Sequence, residues 1–405
     1  MHQNLRNIKN LPKITTSTSQ LILLLTYYVI GTICLTFSYV SCIVLYAYYW
    51  KKLPFFKNTE GSSPTTFISV LIPARNEADN ILPCLDAILK GSYPQNLFEI
   101  IVIDDHSDDA TPQLVATYPS ANVRLIELKN FVKLADKQPF KKRAIEAAIG
   151  ESKGDLIVTT DGDCLAPPDW LRLIACFYEQ TGKRFIAAPV NFYDEKTAFE
   201  RFQSLDYIGM MGVTGAGVAG RFTNMCNGAN LAYEKALFYE VGGFKGIDHV
   251  ASGDDMLLMQ KIARFYPNSL GFLKHPAATV LTKAKPTIAD FMSQRLRWAS
   301  KSSSYTEVFT VLQLVMVFAF CWNILISLCL TVFYGWLFFY LFLFQFILKT
   351  ISDYFFLRTM SRFFNREDLM RPFLTPQYLH ILYIIVVGSL ANFKKTYKWK
   401  GRTVK

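Results

Sequence analysis

The chain has 405 residues, of which 51% are hydrophobic and 15% aromatic, and its formal net charge is +11. Its eight cysteines form no Cys-x-x-Cys pair, which argues against a zinc site or a disulfide framework and predicts reduced, mostly buried thiols. Much of the excess positive charge lies beside apolar segments, and no aromatic-and-basic RNA-binding motif is present. The charge therefore predicts contact with anionic lipid and no nucleic-acid partner.

The first apolar segment predicts a membrane anchor. No charged residue occurs from Leu21 to Trp50, a run long enough for a spanning helix, and too long for the apolar core of a signal peptide. Lys51 and Lys52 follow it directly. Because basic residues favour the inner side of a membrane, they predict that the middle of the chain lies in the cytoplasm. Residues 53–64 are predicted to form a linker, since they contain prolines, serines and a glycine.

The C-terminal part contains three further apolar segments, at about 308–333, 335–356 and 377–393. The first two are long enough to span a bilayer, and the basic loop 358–376 is expected to be cytoplasmic. A fourth crossing would place the basic tail Lys394–Lys405 outside, against the positive-inside tendency. We therefore expect the third segment to be re-entrant or interfacial, although the alternative is that the rule fails here.

The middle of the chain alternates between strand and helix patterns. The predicted strands and helices are Phe67–Ile72, Asn80–Lys90, Glu99–Ile103, Thr111–Thr117, Arg124–Leu128, Lys142–Gly150, Leu156–Thr160 and Trp170–Gln180. Strands separated by helices indicate a mostly parallel sheet with right-handed crossovers. The stretch 203–225 is rich in glycine and methionine and has two equal interpretations: a mobile cover for an apolar substrate, or a surface helix of low propensity. Residues 287–301 are predicted to form an amphipathic helix.

The strand at Leu156–Thr160 is followed by Asp161, Gly162 and Asp163. Asp-Gly alone is a common turn dipeptide, so a simple turn is one interpretation. The other follows from position, because ligands bind at the carboxyl ends of strands in open α/β sheets. Two carboxylates held close together repel unless a cation lies between them, and oxygen ligands suit Mg²⁺ or Mn²⁺. The neighbouring motifs favour this metal site.

Several motifs occur in a fixed order along the chain: Pro-Ala-Arg-Asn-Glu at 73–77, Asp104-Asp105, Asp-Gly-Asp at 161–163, Asp254-Asp255, and Gln-Arg-Leu-Arg-Trp at 294–298. In this order they resemble the membrane-bound inverting glycosyltransferases of family 2, relatives of cellulose and hyaluronan synthases and of ceramide glucosyltransferase. The resemblance covers residues 65–300. It implies an α/β, GT-A fold, with a Rossmann-like, mostly parallel sheet flanked by transmembrane helices.

The resemblance also implies the residues of a donor pocket, which are Ala74, Arg75, Glu77, Asp104, Asp105, Lys141, Asp161, Gln294, Arg297 and Trp298. Asp161 and Asp163 would hold Mg²⁺ or Mn²⁺, and Asp255, with Asp254 as second candidate, would be the general base. Simpler interpretations are helix capping by Asp105, attraction of Glu77 to a helix N-terminus, and an interfacial helix carrying Trp298. Paired acids at a helix start can also be capping residues, so one of Asp254 and Asp255 is expected to be one.

The chain departs from the family pattern at three places. Asp254 replaces a frequent glutamate, Phe140 replaces the glycine before the nucleotide-binding lysine, and 227–230 replaces the acceptor-side segment of polymer-forming synthases. The last departure argues against processive polymer synthesis. The predicted regions are an N-terminal tail and anchor at 1–52, a cytoplasmic catalytic domain at 53–305, and C-terminal membrane or interfacial helices with a basic tail at 306–405.

The resulting functional prediction is a metal-dependent, inverting enzyme that transfers sugar from a nucleotide diphosphate sugar, a UDP-sugar, to a lipid or lipid-linked acceptor. It is expected to be a multi-pass protein of the bacterial cytoplasmic membrane. The alternatives are a processive polysaccharide synthase, whose product would be a ladder of long saccharides, and a non-catalytic membrane scaffold with the same fold. A nucleotidyltransferase is a third, but nothing in it would require the motif at 294–298.

Overall fold

A computed structural model describes residues 18–59, 61–130, 140–248, 250, 253–393, 397–399 and 402–404. The N-terminal tail up to residue 17 and half of the predicted basic C-terminal tail, residues 394–396, 400, 401 and 405, lie outside these residues. The α-helices are α1 Thr18–Lys52, α2 Ile81–Leu89, α3 Thr111–Ala116, α4 Phe140–Glu151, α5 Trp170–Thr181, α6 Ala198–Gly220, α7 Lys235–Glu240, α8 Met256–Phe265, α9 Ile288–Ala299, α10 Val308–Tyr334, α11 Trp336–Phe363 and α12 Leu374–Phe393. The strands are β1 Ile68–Ala74, β2 Phe98–Asp104, β3 Val123–Glu127, β4 Leu156–Thr159, β5 Phe185–Ala187, β6 Val190–Tyr193, β7 Leu231–Glu234, β8 Leu270–Phe272, β9 Val280–Lys283, β10 Tyr397–Trp399 and β11 Arg402–Val404.

The central sheet has the strand order β3-β2-β1-β4-β7-β5-β8. Strands β1 to β4 pair in parallel. The residues of β1, β2 and β4 are nearly all buried because helices cover both faces, whereas β3 at the edge of the sheet is half-buried. The predicted mostly parallel sheet is therefore confirmed. Strand β7 pairs antiparallel with both β4 and β5, an insertion that the alternation of strands and helices did not predict.

Helix α6 corrects the prediction for 203–225. This stretch is not a surface helix, because most of its residues, including its glycines Gly209, Gly212 and Gly215, are buried. A Cβ atom on Gly209 would lie 2.8 Å from Leu357, one on Gly215 would lie 2.6 Å from Trp50, and one on Gly212 would overlap Met360. The glycines thus allow α1 and α11 to approach the backbone of α6 closely, as small residues do between membrane helices.

Four helices, α1, α10, α11 and α12, are long and apolar enough to cross a membrane. Helix α11 continues to Phe363, so Arg358 and Arg362, expected in a loop, lie in its last turns, where basic side chains are favourable. Helix α12 is uninterrupted from Leu374 to Phe393, and a re-entrant hairpin within these residues is therefore wrong. Whether it crosses the membrane or lies at its surface stays a prediction.

Candidate active site

Three adjacent strands, β2, β1 and β4, end at the same edge of the sheet and deliver the predicted site residues. The register pairs Ala74 with Asp104, and β4 ends two residues before Asp161. Because these strands are parallel, the polar residues that follow them meet at one edge. The first three motifs found in the sequence are therefore brought together in space.

The loops after β1 and β2 are tied to each other by Arg75. Its guanidinium donates to the carbonyl oxygens of Asp105 at 2.8 Å and His106 at 2.6 Å, and it forms an ion pair with Asp108 at 3.2 Å. The carboxylate of Asp104 accepts from the backbone N–H of Ser107. The capping interpretation of Asp105 is wrong, since α3 begins after Ala110 without a side-chain cap. Arg75 holds the loops at the position expected for the nucleotide.

The Asp-Gly-Asp loop lies directly against Glu77. A Cβ atom on Gly162 would lie 3.1 Å from Cγ of Glu77, so the close approach depends on glycine at this position. Glu77 also accepts from Nδ2 of Asn80 at 2.8 Å at the start of α2. Its position near that helix N-terminus fits the simpler interpretation as well. Glu77 is thus placed both at the loop and at the helix end.

Asp161, Asp163 and Cys164 each offer a possible metal ligand, and these ligand atoms all lie within 4.8 Å of one another. Burial, followed by the charge of Asp163, raises the pKa of the Cys164 thiol. The thiol is therefore protonated at neutral pH and is a poor ligand. This leaves two half-exposed carboxylates, which are the oxygen donors that Mg²⁺ and Mn²⁺ favour.

Lys141 connects the Asp-Gly-Asp loop to the second pair of acids. Its Nζ lies 3.4 Å from Oδ1 of Asp161 and 3.2 Å from Oδ2 of Asp254. Burial disfavours the ammonium charge, but Asp161, Asp254 and Asp255 outweigh burial and raise the pKa of Lys141. The lysine is charged, and both acidic motifs share one site.

Asp255 is the capping residue of the pair. Its carboxylate accepts from the backbone N–H of Met256 at 2.7 Å and of Gly228 at 3.0 Å, and Nζ of Lys301 lies 3.8 Å away. Burial would raise the pKa of Asp255, but Lys301, Lys141 and the two backbone donors outweigh it and lower that pKa. Asp255 is therefore ionised at neutral pH and able to accept a proton.

Helix α9 carries the last motif, with Gln294, Arg297 and Trp298. Oε1 of Gln294 is buried and accepts no hydrogen bond from the residues that the structure describes. Arg297 is half-buried on the last turn, and no described side chain forms an ion pair with it. The ring of Trp298 lies tilted against that of Tyr207, with ring centroids 6.1 Å apart. Gln294 and Arg297 thus retain capacity for a ligand.

Arg295, which was not among the predicted donor-pocket residues, is the buried arginine of this motif. It forms an ion pair with Asp206 of α6 at 2.8 Å, and both side chains are about 5% exposed or less. Its guanidinium lies over the rings of Trp298 and Phe291, at 4.6 and 4.9 Å from their centroids. Phe291, Arg295 and Trp298 are spaced by four and three residues, so helical periodicity could have placed them on one face. Arg295 fixes α9 against α6.

Lys301 and Tyr207 are further residues of the site that the sequence analysis did not select. Tyr207 accepts a hydrogen bond from Asn227 Nδ2, within the segment that replaces the acceptor-side motif of polymer-forming synthases. Burial chiefly raises the pKa of Tyr207, and the charges of Asp161 and Asp255 add to the rise. A lone tyrosine within a glycine-rich stretch gave no signal in the sequence.

Two family models match this chain. A model described as "Glycosyl transferase family 2" matches residues 69–242, and one described as "Glycosyl transferase family group 2" matches residues 156–357. The chain belongs to glycosyltransferase family 2. Both matched regions include the Asp-Gly-Asp loop, and the second continues through α9 into the membrane helices.

A solved structure supports the fold of this family 2 glycosyltransferase. The mannosyltransferase PcManGT from Pyrobaculum calidifontis, in complex with GDP-Man and Mn²⁺, aligns with 90% of this chain and 99% of its own, with a TM-score of 0.53 and 19% identity. At that identity the likeness shows the fold alone. Together with the family match, it confirms the predicted GT-A fold, and the four apolar helices fit the predicted membrane-bound character.

Two relatives of this glycosyltransferase match only part of the chain. Glycosyltransferase AglE of Haloferax volcanii is 29% identical over 197 residues, which are 48% of this chain and 60% of that protein. The beta-monoglucosyldiacylglycerol synthase of Nostoc sp. is 26% identical over 144 residues, which are 34% of this chain and 30% of the synthase. The chain thus aligns with less than two thirds of each relative's length.

The charges at the sheet edge of this glycosyltransferase do not balance. Four carboxylates, on Asp161, Asp163, Asp254 and Asp255, share the region with the ammonium groups of Lys141 and Lys301. Carboxylates this close disfavour one another's ionisation unless more positive charge is present. These acids outnumber the two ammonium groups, so this donor set fits a divalent cation.

Proposed function

We propose that this glycosyltransferase transfers one sugar from a nucleotide diphosphate sugar to a lipid or lipid-linked acceptor, with inversion, at the cytoplasmic face of a membrane. The observation that carries the proposal is the bridge made by Lys141 between Asp161 and Asp254, because it joins the donor-side loop to the acid next to the candidate base Asp255. The membrane helices support a lipid acceptor, since α1 and α11 pack on α6 of the same domain. One relative is also named for a diacylglycerol product.

Asp161 and Asp163 would hold Mg²⁺ or Mn²⁺ through their carboxylate oxygens. The PcManGT complex, which shares the fold, contains Mn²⁺ together with GDP-Man. When bound, such an ion neutralises the charge of the diphosphate leaving group. The protein's own donors toward that diphosphate are Lys141 and Arg297, and a guanidinium offers two parallel N–H groups to phosphate oxygens.

The nucleoside would lie between the loops after β1 and β2. Ala74, Arg75 and Glu77 form one wall of this pocket, and Asp104 and Asp105 form the other, where carboxylates can accept from ribose hydroxyls or from the base. A UDP-sugar is the proposed donor. Oε1 of Gln294 supplies an unsatisfied acceptor, and the ring of Trp298 supplies a flat surface for the sugar or the acceptor.

Asp255 is the proposed general base. Its carboxylate is held by two backbone N–H groups and by the charge of Lys301, so it keeps one orientation. It would accept the proton of the acceptor hydroxyl as that oxygen bonds to the sugar's anomeric carbon and the bond to the diphosphate breaks. A single displacement of this kind inverts the anomeric centre and needs no covalent nucleophile.

Labelled nucleotide sugars offered to membranes that contain the protein would test the proposal. We expect label from a UDP-sugar in extracted lipid, loss of transfer with EDTA, and recovery with Mg²⁺ or Mn²⁺. Asp163→Asn should lower transfer by about 10²-fold or more, since it removes charge stabilisation at the leaving group. The matched control is Asp169→Asn, which changes an acid at the start of α5. A ladder of long saccharides would favour a processive synthase, and unchanged transfer in Asp163→Asn would contradict the proposed metal site.

A further inference from the structure

A cavity of about 320 Å³ lies at the far end of α8 from Asp255. Its wall combines apolar and polar side chains, which are Val218, Arg221, Asn224, Gln260, Ala263, Arg264, Pro267, Leu270, Thr306 and Glu307. None of these residues belongs to the donor pocket described above. The cavity is large enough for a small polar headgroup with the first part of an apolar chain.

The polar groups of the cavity that lack a protein partner among the described residues are hydrogen-bond donors, one on the buried Gln260 and the others on the exposed Arg221 and Arg264. Gln260 is 4% exposed, and its Nε2 donates to no atom of the described residues, while its Oε1 accepts from the backbone of Thr306 at 3.3 Å. The guanidinium groups of Arg221 and Arg264 have no ion-pair partner within the described part of the chain. A ligand that satisfies these three groups must offer several acceptor oxygens.

The one acid in the cavity wall is already engaged. Glu307 accepts from the backbone N–H of Asn224 at 2.9 Å, from Asn224 Nδ2, and from Oγ1 of Thr310 at 3.0 Å. The two arginines of the wall therefore exceed its single carboxylate, and the cavity favours an anion.

The cavity also lies where two membrane helices meet the catalytic domain. Arg221 caps the C-terminal end of α6. The next residue, Phe222, packs on Tyr49 near the end of α1, with ring centroids 5.3 Å apart, and on Phe309 at the start of α10, with ring centroids 4.9 Å apart. Thr306 and Glu307 directly precede α10. Because both helix ends are expected at the membrane surface, the cavity is level with lipid headgroups.

We propose that this cavity binds the phosphate group of a membrane lipid, with Arg221 and Arg264 contacting the phosphate oxygens and Gln260 donating a third hydrogen bond. Val218, Ala263 and Leu270 pack against the glycerol or the first methylene groups of the chain. The site requires neither a nucleotide sugar nor a metal ion, and it goes beyond the proposed transfer reaction. A soluble phosphate would offer the same oxygens but would not contact the apolar wall.

The test is lipid binding by the full chain, purified in an uncharged detergent and stripped of lipid, without donor or metal. Dioctanoyl phosphatidylglycerol is titrated and its Kd is measured by calorimetry. We expect saturable binding that weakens about tenfold or more in the Arg221→Gln/Arg264→Gln variant, because charge-assisted hydrogen bonds are lost. Gln260→Leu should also weaken binding. Dioctanoylglycerol, which lacks the phosphate, should bind at least tenfold more weakly than the phospholipid.

The matched control is Arg362→Gln, which changes an exposed arginine near the end of α11 and should leave the Kd unchanged. Equal weakening in this control would show general attraction of lipid to basic residues and would overturn the site. An unchanged Kd in the double arginine variant would overturn it too. If inorganic phosphate bound as tightly as the phospholipid, the ligand would be a soluble anion, and the assignment to lipid would be wrong.

Discussion

At the sheet edge, four carboxylates share two lysine ammonium groups, whereas between the helices each buried acid has its own base. Arg295 pairs with Asp206, and Lys349 lies 2.6 Å from Asp353 in α11. Lys349 also donates to Oε1 of Gln377 at 2.7 Å, and Asp353 also accepts from the hydroxyl of Tyr39 at 2.8 Å. Matched buried charges hold helices in register, and an unmatched set of acids at strand ends needs an external cation. Clustered charge alone therefore does not distinguish the sheet edge from the helices, but the excess of acids over bases does.

The largest effect should follow from removing the base at the sheet edge. Asp255→Asn keeps the shape of the side chain but cannot accept the proton, so kcat should fall by about 10²- to 10⁴-fold. Initial rates at saturating donor measure this. Asp254→Asn is the comparison variant, and because Asp254 pairs with Lys141, it should mainly raise KM for the donor. If Asp254→Asn lost more kcat than Asp255→Asn, the assignment of the base to Asp255 would be wrong.

Removing one member of the Lys349–Asp353 pair in α11 should change the stability of the protein. Lys349→Met leaves Asp353 buried without its base and should lower the free energy of unfolding by about 3 kcal/mol or more. The double variant Lys349→Met/Asp353→Leu removes both charges and should recover most of the loss. Thermal denaturation in detergent measures both variants. A double variant less stable than the single one would contradict this account of the pair.

Arg295 connects the two regions, because it is buried with Asp206 but lies on the helix that carries Gln294 and Arg297. Arg295→Lys keeps the charge but loses the flat packing on Trp298, so α9 should shift. A displacement of about 1 Å can lower turnover by about 10²-fold. Transfer rates should therefore fall by about tenfold or more, with a smaller change in thermal stability. If rate and stability fell in proportion, Arg295 would be structural rather than a positioning residue.

The smallest effect concerns the glycines of α6. Gly212→Ala would place a methyl group against Met360 and Phe356, and such overpacking should cost about 1–3 kcal/mol. Gly150→Ala is the matched control, since nothing lies within 4 Å of its added Cβ atom, and it should stabilise α4 by about 0.5–1 kcal/mol. Unfolding by denaturant in detergent compares the two. Equal effects would show that α6 does not need its glycines for helix contact.

The sequence was sufficient to bring several motifs to one sheet edge, because each strand ending carried a polar motif of its own. Asp104 and Asp161 follow clear buried strands, and parallel pairing then brings them to one edge. The resemblance included Lys141 among the donor residues, and its ammonium group lies beside Asp161, while its role there stays a prediction. The antiparallel strand β7 was not predicted, because it has only four residues and follows an irregular polar loop.

The role of α6 was hidden for a physical reason. Its residues are buried on nearly every side, so its sequence shows no polar face, and its glycines have low helix propensity. The reason for those glycines lies in partners such as Trp50 and Met360, which are distant in sequence. Arg295 was passed over for a related reason, since Asp206 lies in that same uninformative stretch.

Residues such as Tyr46, Trp50, Phe356 and Met360 belong to the same apolar core as the sheet strands. Cutting the chain at the predicted boundaries, 52/53 and 305/306, would therefore remove α1 and α11 and expose the apolar side of α6 on which they pack. A water-soluble fragment of this glycosyltransferase should precipitate when expressed. Enzymology on this protein will need the entire polypeptide, kept in detergent micelles or nanodiscs.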